Sequence, residues 1–364
     1  MQTIRAAVCR AFNEPLVIED VLLAPPGTGE VEVTLDAVAI CHSDITFASG
    51  AWGGHLPAVY GHEAAGVITA TGDAVGNFNV GDPVVVTLIR ACGSCPSCAG
   101  GKPTICETPY DTVKGPLQTA DGGPLEQAMA CGAFAEKVVV SHRQIVKIPE
   151  TMPKDVASLL SCGVITGVGA AVNAAKLRPG QDVVVIGAGG VGLNAIQGAR
   201  LAGARRIVAV DMTEEKLEIA KEFGATHGVL ASLDRPWKAA FKALGGRGAD
   251  AVLITVGAIP AYDQAPRYLG RGGKAIMIGM PHSGDMSRYE PVVLAALGQG
   301  VVGSKMGDVV IQRDIPWMID LYEQGRLKLD ELISGRWSLD QINEAIADTK
   351  TGSAKRNVIL FNRD

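Results

Sequence analysis

Positive charge is not in excess in this sequence. Its 33 Lys and Arg stand against 38 Asp and Glu, a net charge of -5. That balance excludes a broad basic footprint for DNA, RNA or an anionic membrane. The N-terminal stretch MQTIRAAVCRAFNEPL has no apolar core of signal-peptide length. No uninterrupted run reaches membrane length either. The best candidate, Val183 to Ala204, contains a run of glycines with Asn194, Gln197 and Arg200, so it reads as a buried strand, turn and helix. Internal repeats and low-complexity segments are also missing. These absences point to a cytoplasmic protein whose partner is a small molecule, with neither nucleic acid nor membrane.

The chain has 364 residues, 47% hydrophobic and 20% charged. It is globular and long enough for two or three domains with a large core. Eight cysteines are present, four of them between Cys92 and Cys106. The length and the C-x-x-C spacing favour metal binding in a reducing compartment over a disulfide framework.

The first 150 or so residues are β-rich. Val31 to Ile40, Ala65 to Thr71, Pro83 to Thr87 and Phe134 to Val140 read as strands between Gly, Pro and Asp turns. From about Gln181 the rhythm changes. Strands at Asp182 to Ile186, Arg206 to Val210, Ala251 to Val256 and Lys274 to Ile278 alternate with helices at Gly192 to Ala202 and Glu214 to Phe223. That alternation predicts an α/β doubly wound parallel sheet. After about Ser304 come two helical stretches and a final strand, Asn357 to Phe361.

Gly187, Gly189, Gly190, Val191 and Gly192 form a G-x-G-x-x-G match. Chance matches are easy among 45 glycines, but here an apolar strand precedes, a helix follows, and Asp211 ends the next strand. Gly187 permits the tight turn, Gly189 lets backbone approach a pyrophosphate, and Gly192 lets helix pack on strand. The helix N-terminus offers free N–H groups to the diphosphate. Asp211 would accept from the adenosine ribose and repel a 2′-phosphate, which favours NAD over NADP.

Cys92, Cys95, Cys98 and Cys106 follow C-x2-C-x2-C-x7-C. Four thiolates can close a tetrahedral shell with no place for water, which suits a structural zinc. An iron–sulfur cluster, two disulfides or the zinc ribbon of a nucleic-acid module are the other readings, the last without basic and aromatic neighbours.

Together with Cys41-His42-Ser43-Asp44, Gly61-His62-Glu63, Ser161-Cys162-Gly163, Thr166-Gly167 and a Gly-Ser-x-x-Arg tail at Gly352 to Arg356, these motifs resemble the zinc-dependent alcohol dehydrogenases of the medium-chain dehydrogenase/reductase superfamily, nearly end to end. The stretch Asp111 to Cys131 resembles the dimeric branch that includes animal alcohol dehydrogenases and glutathione-dependent formaldehyde dehydrogenase. The resemblance implies a GroES-like β domain, 1–164 and 304–364 with the zinc lobe 92–106, interrupted by a Rossmann NAD-binding domain, 165–303. It also implies two zinc ions per chain, NAD and a homodimer joined along the edge of the Rossmann sheet.

Carried over by residue, the resemblance makes Cys41, His62 and Cys162 ligands of a catalytic zinc with one open position. Read singly, His62 is an ordinary core histidine and either cysteine a buried thiol; the joint match sets those readings aside. Asp44 would orient His62. Glu63 would lie behind the metal, with Arg356 as its partner near the pyrophosphate. Ser43 would hydrogen-bond the substrate oxygen and start the proton exit. His42, Thr166, Lys216, Val256, Ile278, Gly279 and Met280 would contact the dinucleotide. Trp52, Leu88 and Met280 would shape the substrate channel, with core packing as the alternative for all three. The classical relay ends at a histidine where this chain has Thr46, so the proton needs another exit. Cys9 and Cys131 match no ligand position.

The implied activity is reversible oxidation of a primary or aromatic alcohol by NAD. The second reading is a thiol-adduct formaldehyde dehydrogenase, or a relative with tightly bound nicotinamide. The stretch Ala51 to Leu56 lacks the acidic residues of the formaldehyde branch, which weakens the thiol reading.

Overall fold

The computed structural model describes residues 1–352 and 355–361. Contacts divide the chain into two compact units, Met1–Cys162 with Val310–Asp364, and Gly163–Val309. The sequence reading instead breaks the chain after Val164 and before Ser304. Residues 304–309 go with the second unit because the turn Met306–Asp308 packs on the helix Gly163–Gly169. A Cβ on Gly307 would come within 2.4 Å of the Ile165 carbonyl oxygen.

The first unit is built from two sheets. One runs Leu117–Thr119, Val17–Leu23, Gln2–Cys9, Ala58–Val59, Glu126–Gln127. The other runs Ile145–Lys147, Pro83–Val86, Glu63–Thr71, Glu30–Ala39, Arg356–Leu360, Ile333–Ser338, with Lys137–Ser141 also paired to Glu30–Ala39. Branched aliphatic side chains fill the space between them, with Tyr60 and Phe134 as the large buried rings. Two departures from the sequence reading have local causes. The run Phe134 to Val140 becomes a strand only at Lys137, because Phe134 N–H donates to the Tyr60 carbonyl and Ala135 bridges to Ala6. The strand Ile333–Ser338 has no apolar signal, since it is half-exposed and bulged around Gly335.

The second unit is one parallel sheet in the order His227–Leu230, Arg206–Asp211, Asp182–Ile186, Ala249–Ile254, Leu269–Met277, Gly300–Gly303. This is the doubly wound order, with the switch point beside the first strand, Asp182–Ile186. All five residues of that strand are buried, as expected where helices cover both faces. The stretch Val183 to Ala204 is therefore strand, glycine turn and the helix Gly190–Leu201. Among the described residues no single helix is long and apolar enough to cross a membrane.

Candidate active site and dinucleotide cradle

Three chain segments meet because strand register brings them together. Ala39 pairs with Glu63, so the residues just past one strand and just before the other, Cys41 and His62, become neighbours. Cys162 follows the turn Leu159–Ser161, and Ser161 Oγ donates to the Ala64 carbonyl at 3.1 Å. The ligand atoms of Cys41, His62, Glu63 and Cys162 all lie within 4.8 Å of one another, and all four residues are buried.

One carboxylate organises this cluster. Asp44, 1% exposed, sits in the first turn of the helix His42–Ala48. Its Oδ2 accepts the Cys41 N–H at 3.0 Å, and its Oδ1 accepts the Gly61 N–H at 2.9 Å. The same Oδ1 is 2.9 Å from His62 Nδ1. Gly61 is required where it stands: its φ is +90°, and a Cβ would approach the Phe134 nitrogen to 2.6 Å.

With Nδ1 occupied, His62 Nε2 is buried with no hydrogen-bond partner. An orphaned imidazole nitrogen facing two cysteine sulfurs is costly unless it ligates something. The donor set of two sulfurs and one imidazole, with the other ring nitrogen fixed by a carboxylate, fits zinc with an open fourth position. The protein atoms alone polarise the site. Cys41 is held well below the ordinary thiol range by a hydrogen bond from Cys162, which is itself pushed well above it. Burial opposes protonation of His62, yet the Asp44 carboxylate carries it well above its ordinary value. Burial pushes Glu63 up to about 7 against the pull of Arg356. Arg356 Nη2 donates to Glu63 Oε2, while Glu63 Oε1 is buried without a partner. Arg356 is 5% exposed and sits on this pair. Ser353, the serine of the tail motif, lies outside the described residues.

Ser43 is half-buried and His42 exposed on the same short helix. Thr46 Oγ donates to the His42 carbonyl at 2.8 Å, so it closes on its own helix. Trp52 packs edge-on to Phe47, ring centroids 5.1 Å apart. Leu88 is half-buried in the first unit; Met280, in the second, is 64% exposed.

In the second unit the glycines divide the work as their φ and surroundings dictate. Gly187 has φ +98°, and a Cβ there would meet Val256 Cγ1 at 2.5 Å. On Gly192 a Cβ would strike the Gly187 carbonyl oxygen at 1.9 Å. Gly189 is different: nothing lies within 4 Å of its Cβ position. The fold leaves that space open, which is what a phosphate approaching the backbone requires. Gly189 caps the helix, and the first intrahelical bond runs from Leu193 N–H to its carbonyl. The N–H groups of Gly190, Val191 and Gly192 precede it and belong to the anion-binding end.

Asp211 Oδ2 accepts the Ala188 N–H at 2.6 Å, and Oδ1 accepts the Met212 N–H at 2.7 Å. Lys216 Nζ is 3.9 Å from Oδ1. Thr166 is buried, with Oγ donating to Met306 Sδ at 3.7 Å. Ile278 and Gly279 N–H both donate to the Ile254 carbonyl. Two residues that sequence reasoning missed complete the cradle. Thr255 Oγ donates to the Ile186 and Gly187 carbonyls at 3.0 Å, and Gly257 has its Cβ position 2.4 Å from the Met280 carbonyl oxygen. The signal was present, since both directly flank Val256 at the end of a predicted strand.

The four-cysteine lobe is compact. Its sulfurs all lie within 4.8 Å, with Cys92 to Cys98 at 4.0 Å and Cys95 to Cys106 at 3.9 Å. A tetrahedron of about 2.3 Å zinc–sulfur bonds has edges of about 3.8 Å. A disulfide needs about 2.05 Å, and all eight cysteines are free, so the disulfide reading falls. A cluster would interpose iron and sulfide and spread the sulfurs further. The Cys95 N–H donates to Cys92 Sγ at 3.2 Å, and the Cys98 and Glu107 N–H groups donate to Cys95 Sγ at 3.4 Å, as suits thiolates.

Comparison with known proteins agrees with this arrangement. Residues 27–150 match the alcohol dehydrogenase GroES-like domain, and residues 190–324 match the zinc-binding dehydrogenase family. The chain is 35% identical over 369 residues to the NDMA-dependent alcohol dehydrogenase of Amycolatopsis methanolica, covering 99% of each chain. It is 35% identical over 371 residues to a probable S-(hydroxymethyl)glutathione dehydrogenase of Schizosaccharomyces pombe, covering 99% of this chain and 98% of that one. The crystal structure of benzyl alcohol dehydrogenase from Acinetobacter calcoaceticus superposes with a TM-score of 0.93 at 30% identity, over the whole of both chains.

Proposed function

Since the chain belongs to the zinc-dependent alcohol dehydrogenases of the medium-chain dehydrogenase/reductase superfamily, we propose that it moves hydride reversibly between NAD and a primary or aromatic alcohol, giving the aldehyde. The observation that carries this reading is the orphaned Nε2 of His62, buried between Cys41 and Cys162 with its other nitrogen held by Asp44.

Cys41, His62 and Cys162 would hold one zinc, and Cys92, Cys95, Cys98 and Cys106 a second. Zinc in the first site supplies a Lewis acid that makes an alcohol hydroxyl more acidic. Asp44 holds the Nδ1 proton of His62, which leaves Nε2 as the ring nitrogen that would ligate the metal. Ser43 would take the hydroxyl proton on Oγ as it gives up its own hydroxyl proton toward the nicotinamide ribose and solvent. Glu63 and Arg356 form a buried ion pair beside the ligands. The Gly189 backbone and the helix start would hold the dinucleotide diphosphate, and the bound nicotinamide would supply the hydride acceptor. Asp211 selects NAD by its charge, with Lys216 beside it. His42, Val256, Ile278, Gly279 and Met280 would complete the cofactor contacts, and Trp52, Leu88 and Met280 the substrate channel.

The setting would be cytoplasmic, with a homodimer as the working form. The sheet ends at Gly300–Gly303, which among the described residues pairs on one side only; Val302 of that strand and Val292 of the preceding helix are 40% and 71% exposed. A second copy adding its own edge strand would cover them. A light-scattering mass of one chain or of four would refute the dimer.

The matches to an NDMA-dependent enzyme and to an S-(hydroxymethyl)glutathione dehydrogenase support a second reading, in which the acceptor is not free NAD or the substrate is a thiol adduct. A panel of alcohols followed by NADH absorbance decides between them. It should include formaldehyde with and without glutathione or mycothiol, and mass analysis for nicotinamide carried by the purified protein. No turnover of any alcohol with NAD, and turnover only with a thiol or an external acceptor, would replace the first reading by the second.

A further inference from the structure

We propose that Gln144 is a positioning residue that clamps the turn carrying Leu88 and thereby sets which alcohols fit. This rests on the reading of Leu88 as a lining residue of the substrate channel. The strand Pro83–Val86 pairs with Glu63–Thr71, and Val86 lies opposite Ala64, two residues past His62. Leu88 is two residues beyond Val86, where the chain leaves the sheet at the His62 end. It sits in a tight turn, with Arg90 N–H donating to the Leu88 carbonyl at 2.9 Å and Ile89 N–H to Thr87 Oγ at 3.1 Å. Such a turn exposes its side chain but does not fix its direction; its anchors must do so.

Backbone holds the first end, where the Thr87 N–H donates to the Gln144 carbonyl at 2.9 Å, and the Gln144 side chain adds to it. Gln144 is fully buried. Its Nε2 donates to the Thr87 carbonyl at 3.0 Å, just before Leu88. Its Oε1 accepts a long bond, 3.4 Å, from Nη1 at the far end of the Arg90 side chain, two residues after Leu88. The second N–H of Gln144 donates to the Ala130 carbonyl at 2.9 Å, and Oε1 also accepts the Ser141 N–H at 3.2 Å. The amide thus uses both donors and accepts twice. The Ala130 end is itself constrained, since Met129 and Ala130 both have left-handed φ, 53° and 55°. On the outer side the Arg90 guanidinium lies 4.0 Å over the Tyr110 ring. The turn that carries Leu88 is therefore tied to one buried amide at the Thr87 carbonyl, and more weakly through the Arg90 side chain. Loss of that amide loosens the turn, which keeps the Thr87 N–H bond to the residue 144 carbonyl and the Cys131 Sγ bond to the Thr87 carbonyl, without touching Cys41, His62, Cys162 or the dinucleotide cradle.

The test uses zinc-loaded enzyme with saturating NAD, and compares kcat and KM for ethanol and benzyl alcohol. In Leu88→Ala the ratio of kcat/KM for the two alcohols should move about tenfold toward unity, the scale on which apolar pocket contacts discriminate. Gln144→Met removes the amide at similar volume. It should move the ratio the same way, mainly through KM, with ethanol kcat within about twofold of wild type. Adding Gln144→Met to Leu88→Ala should change the ratio no further. An unchanged ratio in Gln144→Met beside a shifted ratio in Leu88→Ala overturns the clamp. So does an equal loss of kcat for both alcohols with a raised KM for NAD. An unchanged ratio in Leu88→Ala overturns the reading of Leu88, and the clamp with it. Arg90→Met loosens only the outer anchor and should give a smaller shift of the same sign; it decides the matter if Gln144→Met does not fold.

Discussion

Asp44 and His62 are joined by a 2.9 Å contact between Oδ1 and Nδ1 in which neither side chain meets solvent. The same carboxylate accepts the backbone N–H of Cys41 and of Gly61. It therefore aims the imidazole and also fixes the two chain segments that carry Cys41 and His62. Asp44→Asn keeps the shape and removes the charge. Zinc affinity at the three-ligand site should fall about 10- to 100-fold, the usual effect of losing a partner behind a ligand. Competition with a chelator measures it, and the four-cysteine lobe should be unaffected.

The two metal sites should separate by substitution. The lobe closes its shell with four sulfurs, so Cys95→Ser should cost one zinc per chain, lower the melting temperature and promote aggregation. Cys41→Ser should leave the melting temperature nearly unchanged and abolish turnover. Metal analysis paired with thermal denaturation checks both. One zinc per chain in the wild type would refute the assignment.

Cofactor choice should follow the charge of Asp211. Its two oxygens already accept the Ala188 and Met212 N–H groups, so removing the side chain would disturb the glycine turn. Asp211→Asn keeps an acceptor and drops the repulsion of a 2′-phosphate. That repulsion is worth on the order of 1–3 kcal/mol, so the preference for NAD over NADP in kcat/KM should fall about tenfold to a hundredfold. Equal use of both cofactors by the wild type would show that Asp211 does not face the ribose.

Acid stability should depend on Glu32. It is 6% exposed, and its Oε1 accepts from Thr69 Oγ at 2.6 Å and Lys137 Nζ at 2.9 Å. Burial works to raise this carboxyl, but the bonds from Thr69 and Lys137 outweigh it and hold it below its ordinary value of 4.5. A carboxyl depressed on folding stabilises above its unfolded value, and that contribution is lost as pH falls through the folded one. Glu32→Gln should therefore lose about 1–2 kcal/mol at neutral pH. The gap to wild type should close below pH 4.5 in denaturant titrations across pH.

What could be read ahead in the sequence follows from burial and from separation along the chain. Asp182 to Ile186 and Arg206 to Val210 are legible because parallel strands are covered on both faces and so become unbroken aliphatic runs. Ile333–Ser338 is not, because it is half-exposed and broken by Gly335. The four-cysteine lobe lies within one short segment and declares itself. Cys41, His62 and Cys162 are brought together by sheet register, which no local spacing encodes, and only a family resemblance names them. The bond from Gly61 to Asp44 and the clamp of Gln144 were invisible for the same reason: Gly61 and Asp44 are 17 positions apart, and Gln144 and Thr87 57.

Proton flow gives the sharpest test of the site. An alcohol must lose its hydroxyl proton as hydride leaves its carbon. Ser43 is the half-buried hydroxyl in the first turn of the helix that follows Cys41. Thr46, one turn further on, gives its hydrogen to the His42 carbonyl at 2.8 Å and does not titrate near neutrality. A histidine there would titrate near pH 6.5. Ser43→Ala should depress hydride transfer strongly across the whole pH range, because it cuts the path at its first link. Thr46→His should add a base at the far end and give a modest gain near neutral pH, well under the roughly 10²-fold low end of general-base catalysis. Pre-steady-state NADH formation against pH for wild type, Ser43→Ala and Thr46→His reads this directly. Near-normal rates in Ser43→Ala would show that the proton never passes through that hydroxyl. An unchanged profile in Thr46→His, with Ser43→Ala still impaired, would mean that the path leaves Ser43 through solvent before it reaches position 46.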